Sequence, residues 1–159
     1  MKSFAVVLTL VLCMSAGAQT VFKNSSIVSV AWDIQNNGQW MPGSGLGTVL
    51  DSGEMISDGG TMKPIVNALN YTSYAAGCHG SWRLNTQDKT VRVQSLCAES
   101  TGTFMIVVQA VLTAMPNGVF RGQAIVRRFA SPADFRDGLT PLVTVNVGMQ
   151  LDVIAVSHE

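Results

Sequence analysis

The residues of this chain that could do acid–base or nucleophilic chemistry are few and scattered. Two histidines occur, His79 beside Cys78 and His158 in the C-terminal tail. A hydrolase needs a nucleophile, a base and an orienting group brought together, and neither histidine lies in a motif of that kind. The HExxH and GxSxG patterns are absent, and no cysteines stand at zinc-ligand spacing. We therefore expect no enzyme activity, no metal site and no cofactor.

The cysteines point instead to a structural cross-link within a β-hairpin. If residues 87–88 form a two-residue turn, Cys78 lies directly opposite Cys97 and Trp82 lies opposite Val93. Side chains alternate between the two faces of a strand, so all four of these residues share one face. The sequence therefore predicts a disulfide between Cys78 and Cys97 that closes the hairpin on its apolar side.

The N-terminus has the three parts of a secretory signal peptide. Lys2 supplies the positive start, Phe4 to Met14 is a short apolar run, and residues 16–18 are small. We predict a signal peptide at residues 1–18 and a single mature domain at residues 19–159. The protein is then expected to be secreted or periplasmic, or to lie at the cell surface.

Charge and composition narrow the classes of partner. The chain has 10 basic and 10 acidic residues, and only 13% of its residues are charged. A nucleic-acid binder needs a basic face for phosphates, so we expect no nucleic acid partner. No apolar segment is long enough to span a bilayer as a helix.

The cysteine count agrees with one disulfide. Because Cys13 is removed with the signal peptide, two cysteines remain, and in an oxidising compartment two cysteines most simply form one disulfide.

The remaining elements read as short strands separated by turn residues. The predicted strands outside the hairpin lie at residues 20–34, 48–50, 103–113, 119–129 and 142–156. Residues 42–47 and 51–60 are rich in glycine and predict loops, and residues 64–69 predict either a short helix or an irregular strand. This pattern indicates an all-β fold, an immunoglobulin-like antiparallel β-sandwich, with a small antiparallel β-barrel as the alternative.

Three aromatic residues lie in predicted loops and are candidates for an exposed contact surface. They are Trp40, Tyr71 and Tyr74. Aromatic side chains combine a large apolar face with a polar group, and they are enriched at protein interfaces.

A second candidate surface is basic. Four arginines point outward from strands expected to be neighbours: Arg83, Arg92, Arg121 and Arg127. They could form a strip that binds an anion or a partner. Solvation by water and by nearby acidic residues is the alternative, and it is the interpretation that we favour from the sequence.

Two stretches resemble the subunits of bacterial chaperone-usher fimbriae. The mature start, Val21-Phe22-Lys23-Asn24 leading into residues 27–32, is similar to a donor segment before a first strand. Phe135 to Leu139 followed by Leu142 to Val147 is similar to the final strand of such subunits. The resemblance implies an incomplete immunoglobulin-like fold that a neighbour's N-terminal strand completes. It makes Val21, Lys23 and Ile27 candidate partner-binding residues.

Two functional hypotheses follow. The first is an exported, non-enzymatic binding or assembly protein, a subunit or accessory of a bacterial surface structure involved in cell adhesion. Its partner is then another protein or a second copy, joined by strand addition. The alternative is a periplasmic inhibitor or immunity-type protein that binds a toxin or hydrolase through its loops, with Trp40, Tyr71, Tyr74 or His79 at the contact.

Overall fold

The computed structural model describes residues 26–50, 52–58, 62–68, 75–99 and 103–154. Eight strands account for most of them: β1 Ser26–Asp33, β2 Met41–Val49, β3 Glu54–Asp58, β4 Ala75–Asn85, β5 Thr90–Glu99, β6 Met105–Ala114, β7 Val119–Phe129 and β8 Val143–Ile154. Two short helices, α1 Lys63–Ala68 and α2 Pro132–Arg136, and a 3₁₀ turn, Pro116–Gly118, lie in the connections. None of the helices in these ranges is long and apolar enough to cross a bilayer.

All eight strands belong to one antiparallel sheet that closes on itself. Each strand pairs with the next along the chain, and β1 pairs with both β2 and β8. The all-β prediction and its barrel alternative are therefore confirmed, whereas the immunoglobulin-like sandwich is not. A sandwich needs connections that cross between two sheets. Here every connection joins neighbouring strands of a single sheet, as in an up-and-down barrel.

The central hairpin, β4 and β5, has the register that the sequence predicts. Cys78 pairs with Cys97 and Trp82 pairs with Val93. The two cysteine sulfurs are bonded, which confirms the predicted disulfide. Both cysteines are buried among the side chains of the barrel interior, so the cross-link is part of the core.

The turn of this hairpin is longer than the predicted two residues and comprises residues 86–89. The side-chain oxygen of Asn85 accepts hydrogen bonds from the backbone N–H groups of Gln87 and Asp88. Lys89 has a positive φ of 53°. An Asx-type turn of this kind draws the flanking residues out of the strand ladder, which explains the difference.

Two segments that were expected to be loops are strands. Residues 42–47 belong to β2, and β3 lies within residues 51–60. β3 alternates exposed and buried positions, with Met55 inside the barrel. In β2, glycine weakens the intrinsic strand preference, but pairing with β1 overrides it. Gly47 lies so close to β1 that a Cβ there would be 3.1 Å from the Val28 side chain.

The remaining elements agree closely with the sequence. β7 has the predicted bounds, residues 119–129, and β8 lies within the predicted residues 142–156. The open choice between helix and strand at residues 64–69 is resolved in favour of a helix for residues 64–68, which belong to α1. β6 is covered on both faces only at residues 106–108, because alternate side chains from Gln109 onward are exposed.

Apolar side chains fill the interior of the barrel. The largest of the fully buried ones are Trp32, Phe120, Met62, Ile65, Leu112 and Leu151. At Gly122 a Cβ would collide with the backbone carbonyl of Val111 on the neighbouring strand, so only glycine fits there. Eight strands enclose an interior that is just wide enough for side chains to fill. The interior is therefore a packed core.

Candidate functional site

The connections of the barrel are unequal at its two ends. At one end, which we call the short-turn end, the strands are joined by residues 50–53, 86–89 and 115–118. At the other, which we call the long-loop end, the fully described connections are residues 34–40 and 130–142, and the strands β3 and β5 also end there. Binding residues in proteins are concentrated on loops that a rigid scaffold positions. The long-loop end is therefore the candidate functional site.

The loop between β1 and β2 is held by one buried carboxylate. The side chain of Asp33 accepts hydrogen bonds from the backbone N–H of Asn37 at 3.2 Å and of Gly38 at 2.6 Å. Asn36 and Gly38 have positive φ values of 53° and 84°, which asparagine and glycine tolerate best. The side-chain amide of Asn36 donates to the backbone oxygen of Asn146 on β8. The loop thus has one defined conformation against the barrel wall.

Trp40, at the end of this loop, packs on the outside of the barrel. Its ring lies against β8, with one carbon 3.0 Å from the position that a Cβ on Gly148 would take. The Arg121 guanidinium covers the ring at 4.7 Å from its centroid and also donates to the side-chain oxygen of Gln150. Trp40 is half-buried. It fixes the loop to the wall and leaves only part of its ring free for a partner.

The loop between β7 and β8 is also braced internally. Ser131 caps α2 by accepting a hydrogen bond from the backbone N–H of Asp134 at 3.1 Å. Phe135 packs edge to face against Phe129, with ring centroids 5.3 Å apart. The backbone N–H of Leu142 donates to β7 at 2.8 Å. Both long loops described so far are therefore ordered by contacts of their own.

Large apolar side chains are exposed on these loops. Leu139 is 56% exposed and Leu142 is 58% exposed, both in the β7–β8 loop. Met41, where the β1–β2 loop joins β2, is 46% exposed. Apolar side chains held on an ordered backbone lose little conformational entropy on association, which favours binding to a protein surface. The long-loop end has this arrangement.

The barrel interior beneath α1 holds one small cavity among the described residues. It is lined by Ile65, Val66, Phe104, Ile106, Val126, Arg128 and Val143. The Arg128 guanidinium stacks over the Phe104 ring, 3.8 Å from its centroid. The cavity has room for about one water molecule, far less than a small-molecule ligand needs.

Arg128 is a site residue that the sequence reasoning missed. The buried side chains Phe120, Ala124 and Val126 lie at alternate positions of β7, and Arg128 continues the same alternation. The sequence therefore contained a signal for its inward position. Leu139 and Leu142 gave no such signal, because an apolar residue in a loop has no periodicity that reveals its exposure.

Two of the predicted contact residues, Ile27 and Trp40, lie within the described residues, and they are not close together. Ile27 is half-buried near the short-turn end, where it pairs with Thr48 on β2 and with Ile154 on β8. Trp40 is at the opposite end of the barrel. A single partner surface that includes both residues therefore has no support from their positions.

Four predicted contact residues lie outside the described residues. They are Val21, Lys23, Tyr71 and Tyr74. The strands that flank the last two residues, β3 and β4, end and begin at the long-loop end.

Of the two histidines, His79 lies within the described residues. His79 is exposed on the outer wall and forms no hydrogen bond to a described residue. Within the ranges given above, no group of three or more His, Cys, Asp or Glu side chains could hold a metal ion.

Comparisons with protein-family models, with curated proteins and with solved structures found no match. The fold alone therefore defines the class of this protein. It is an eight-stranded antiparallel closed β-barrel with a disulfide across its central hairpin. A disulfide of this kind is typical of proteins in an oxidising compartment.

Proposed function

We propose that this chain is an exported, non-enzymatic protein that binds a protein partner through the long-loop end of its barrel. The predicted signal peptide at residues 1–18 and the buried disulfide support a secreted or periplasmic location. A mature domain at residues 19–159 then consists of the barrel and the residues that flank it.

One observation carries the proposal. The β1–β2 and β7–β8 loops are braced by their own hydrogen bonds and packing, and they expose Met41, Leu139 and Leu142 at the same end of the barrel. Rigid loops that present apolar side chains bind with a small entropy cost. Inhibitors and immunity-type proteins use loops in this way, so that alternative from the sequence is the form of the proposal that we favour.

A small-molecule carrier has less support. The interior is filled by side chains, and the cavity under α1 has room for about one water molecule. Pockets for small molecules are far larger than this. The surface, and not the interior, is therefore where we place the binding function.

Assembly into a fimbria-like surface structure by strand addition also has less support, although it stays a prediction. Strand addition needs a sheet edge with free backbone groups. From Ser26 to Asp33, β1 lies between β2 and β8 and has neighbours on both sides. Val21 and Lys23, the donor residues suggested by the resemblance, lie outside the described residues.

The experiment is site-specific photo-cross-linking in the exported, signal-cleaved protein. A photoreactive amino acid is placed at Leu139 in one variant and, as the control, at Met115 in another. Met115 is 46% exposed and lies at the short-turn end. We expect a discrete adduct with another protein from position 139 and none from position 115.

The protein identified in the adduct is then purified, and its affinity is measured for the Leu139→Asp and Met115→Asp variants. A charge placed in an apolar contact should weaken binding by about tenfold or more at position 139 only. Equal adducts from both positions would contradict the proposed surface. A ladder of adducts with copies of the same chain would favour the assembly hypothesis instead.

A further inference from the structure

Two arginines face each other on the outer wall of the barrel. Arg83 on β4 is directly opposite Arg92 on β5, and both side chains are exposed. Residues directly opposite in an antiparallel pair have Cβ atoms about 5 Å apart, so two guanidinium groups there repel each other. The barrel keeps this repulsion although a neutral residue at either position would remove it.

Neither guanidinium has a partner within the described part of the chain. Arg83 and Arg92 form no hydrogen bond or ion pair with any of its residues. Every other arginine does have a contact: Arg121 with Gln150 and Trp40, Arg127 with Gln109, Arg128 with Phe104 and Arg136 with Asp137. The four outward arginines noted in the sequence therefore divide into two that are engaged and two that are available.

The surroundings of the pair combine charge with an exposed apolar side chain. Val111 on β6 is directly opposite Arg92 and is 51% exposed. Two acidic residues are near: Glu54, opposite Ser81 and one outward position from Arg83, and Asp88 in the hairpin turn. Neither carboxylate lies within 4.0 Å of an arginine of the pair.

We propose that Arg83, Arg92 and Val111 form a second contact surface, which binds an acidic segment of a protein partner. A carboxylate accepts hydrogen bonds from the planar guanidinium in a bidentate geometry. Carboxylates bound between Arg83 and Arg92 also relieve the repulsion between the two cations. An apolar side chain next to the acidic group then packs on Val111.

The charge and the small size of this surface favour a protein as its partner over a nucleic acid or a sulfated polysaccharide. Those polymers need a long basic tract, because their affinity comes from releasing many counterions. Here two cations stand beside a valine, and the whole chain has a formal net charge of zero. A short acidic and apolar peptide matches this surface better than a polyanion does.

The surface is independent of the long-loop end. Arg83 and Arg92 lie close to the 86–89 turn, and so at the opposite end of the barrel from Leu139 and Leu142. An experiment that contradicts one of the two proposals therefore does not contradict the other.

The test uses a fluorescent peptide that alternates glutamate with leucine. Its binding is measured by anisotropy for the unchanged protein and for Arg83→Gln/Arg92→Gln. Lys63→Gln/Arg127→Gln is the control, because it removes the same amount of charge elsewhere. We expect binding about tenfold weaker in the first variant only, as loss of two charge-assisted contacts implies. In NMR spectra, the chemical shifts of the side-chain Nε atoms of Arg83 and Arg92 should change when the peptide is added.

A thermal melt separates this role from a structural one. Removing a like-charge pair leaves the melting temperature of Arg83→Gln/Arg92→Gln the same or higher. Equal peptide binding in both double variants would overturn the proposal, as would no saturable binding to the unchanged protein. A peptide in which glutamine replaces glutamate should bind more weakly, and equal binding would overturn the choice of an acidic protein segment. Tighter binding of a heparin fragment at these arginines would overturn it as well.

Discussion

Asp33 shows how one side chain determines the conformation of a whole loop. It is only 4% exposed, and each of its carboxylate oxygens accepts a backbone N–H from the turn that follows. Asn36-Asn37-Gly38 predicts a turn on sequence grounds alone, because these residues tolerate a positive φ. The role of Asp33 was not predictable in the same way, since it depends on where the turn folds back.

We expect Asp33→Ala to lower the free energy of unfolding by about 1 to 3 kcal/mol, because two backbone donors lose their acceptors. Urea unfolding monitored by tryptophan fluorescence measures the change. Asp88→Ala is the matched control, since Asp88 is an exposed turn residue that accepts one side-chain hydrogen bond from Asn85. Its effect should stay within about 0.5 kcal/mol. Equal losses in the two variants would mean that Asp33 does not hold the loop.

The inward position of Arg128 conflicts with its residue type. Alternation along β7 places it inside the barrel, but an inward arginine contradicts the usual expectation that charged side chains face water. Its contact with the Phe104 ring resolves the contradiction, because the flat guanidinium packs well on an aromatic face. Contacts between residues so distant in the chain are not encoded in local sequence patterns.

Among the elements, the β4–β5 hairpin was the most predictable. Period-two alternation, turn residues and two cysteines all select one register, and the structure has that register. The predicted strand at residues 48–50 matches only the end of β2, and the rest of β2 and all of β3 were not predicted, because glycine-rich sequences such as that of residues 42–47 carry weak local preferences. Their strand conformation comes from pairing with β1 and β4, which is a tertiary effect.

The hairpin disulfide should contribute measurably to stability. Cys78 and Cys97 are separated by 19 residues, and a cross-link of that span stabilises by about 3 kcal/mol, mainly by restricting the unfolded chain. We expect Cys78→Ala/Cys97→Ala to lose about that amount relative to the oxidised protein in denaturant unfolding.

The reduced protein is the control for this change. After reduction, the unchanged protein and the double variant should have closely similar free energies of unfolding, because neither has the cross-link. A large difference that persists under reducing conditions would mean that the variant lost core packing instead. If Cys78 and Cys97 were free thiols in the exported protein, the disulfide would contribute nothing to its free energy of unfolding.

For the whole molecule, closure of the barrel was the feature that the sequence left open. Alternating strands separated by turns are compatible with a sandwich and with a barrel alike. The choice depends on whether β1 pairs with β8, and those strands are far apart along the chain. The candidate site was less predictable still, because the long-loop end is defined by which connections share an end of the barrel.

Hydrogen exchange tests this closure. In a closed barrel the backbone N–H groups of β1 and β8 should exchange as slowly as those of β5 and β6, because neither β1 nor β8 is at an edge. Native-state exchange measured by NMR compares Val30 and Leu151 at the β1–β8 pairing with Val93 and Val108 at the β5–β6 pairing. Rapid exchange confined to β1 and β8 would indicate that the barrel opens there.

The pairing of β1 with β8 also bears on how the chain folds. Each of the other strand pairs joins neighbours along the chain, so most of the sheet can form by local steps. The final pair must wait until the last strand is synthesised, and until then β1 has a free edge and an exposed apolar face. During synthesis, therefore, this first strand is where the unfinished protein is most open to aggregation and in most need of a chaperone.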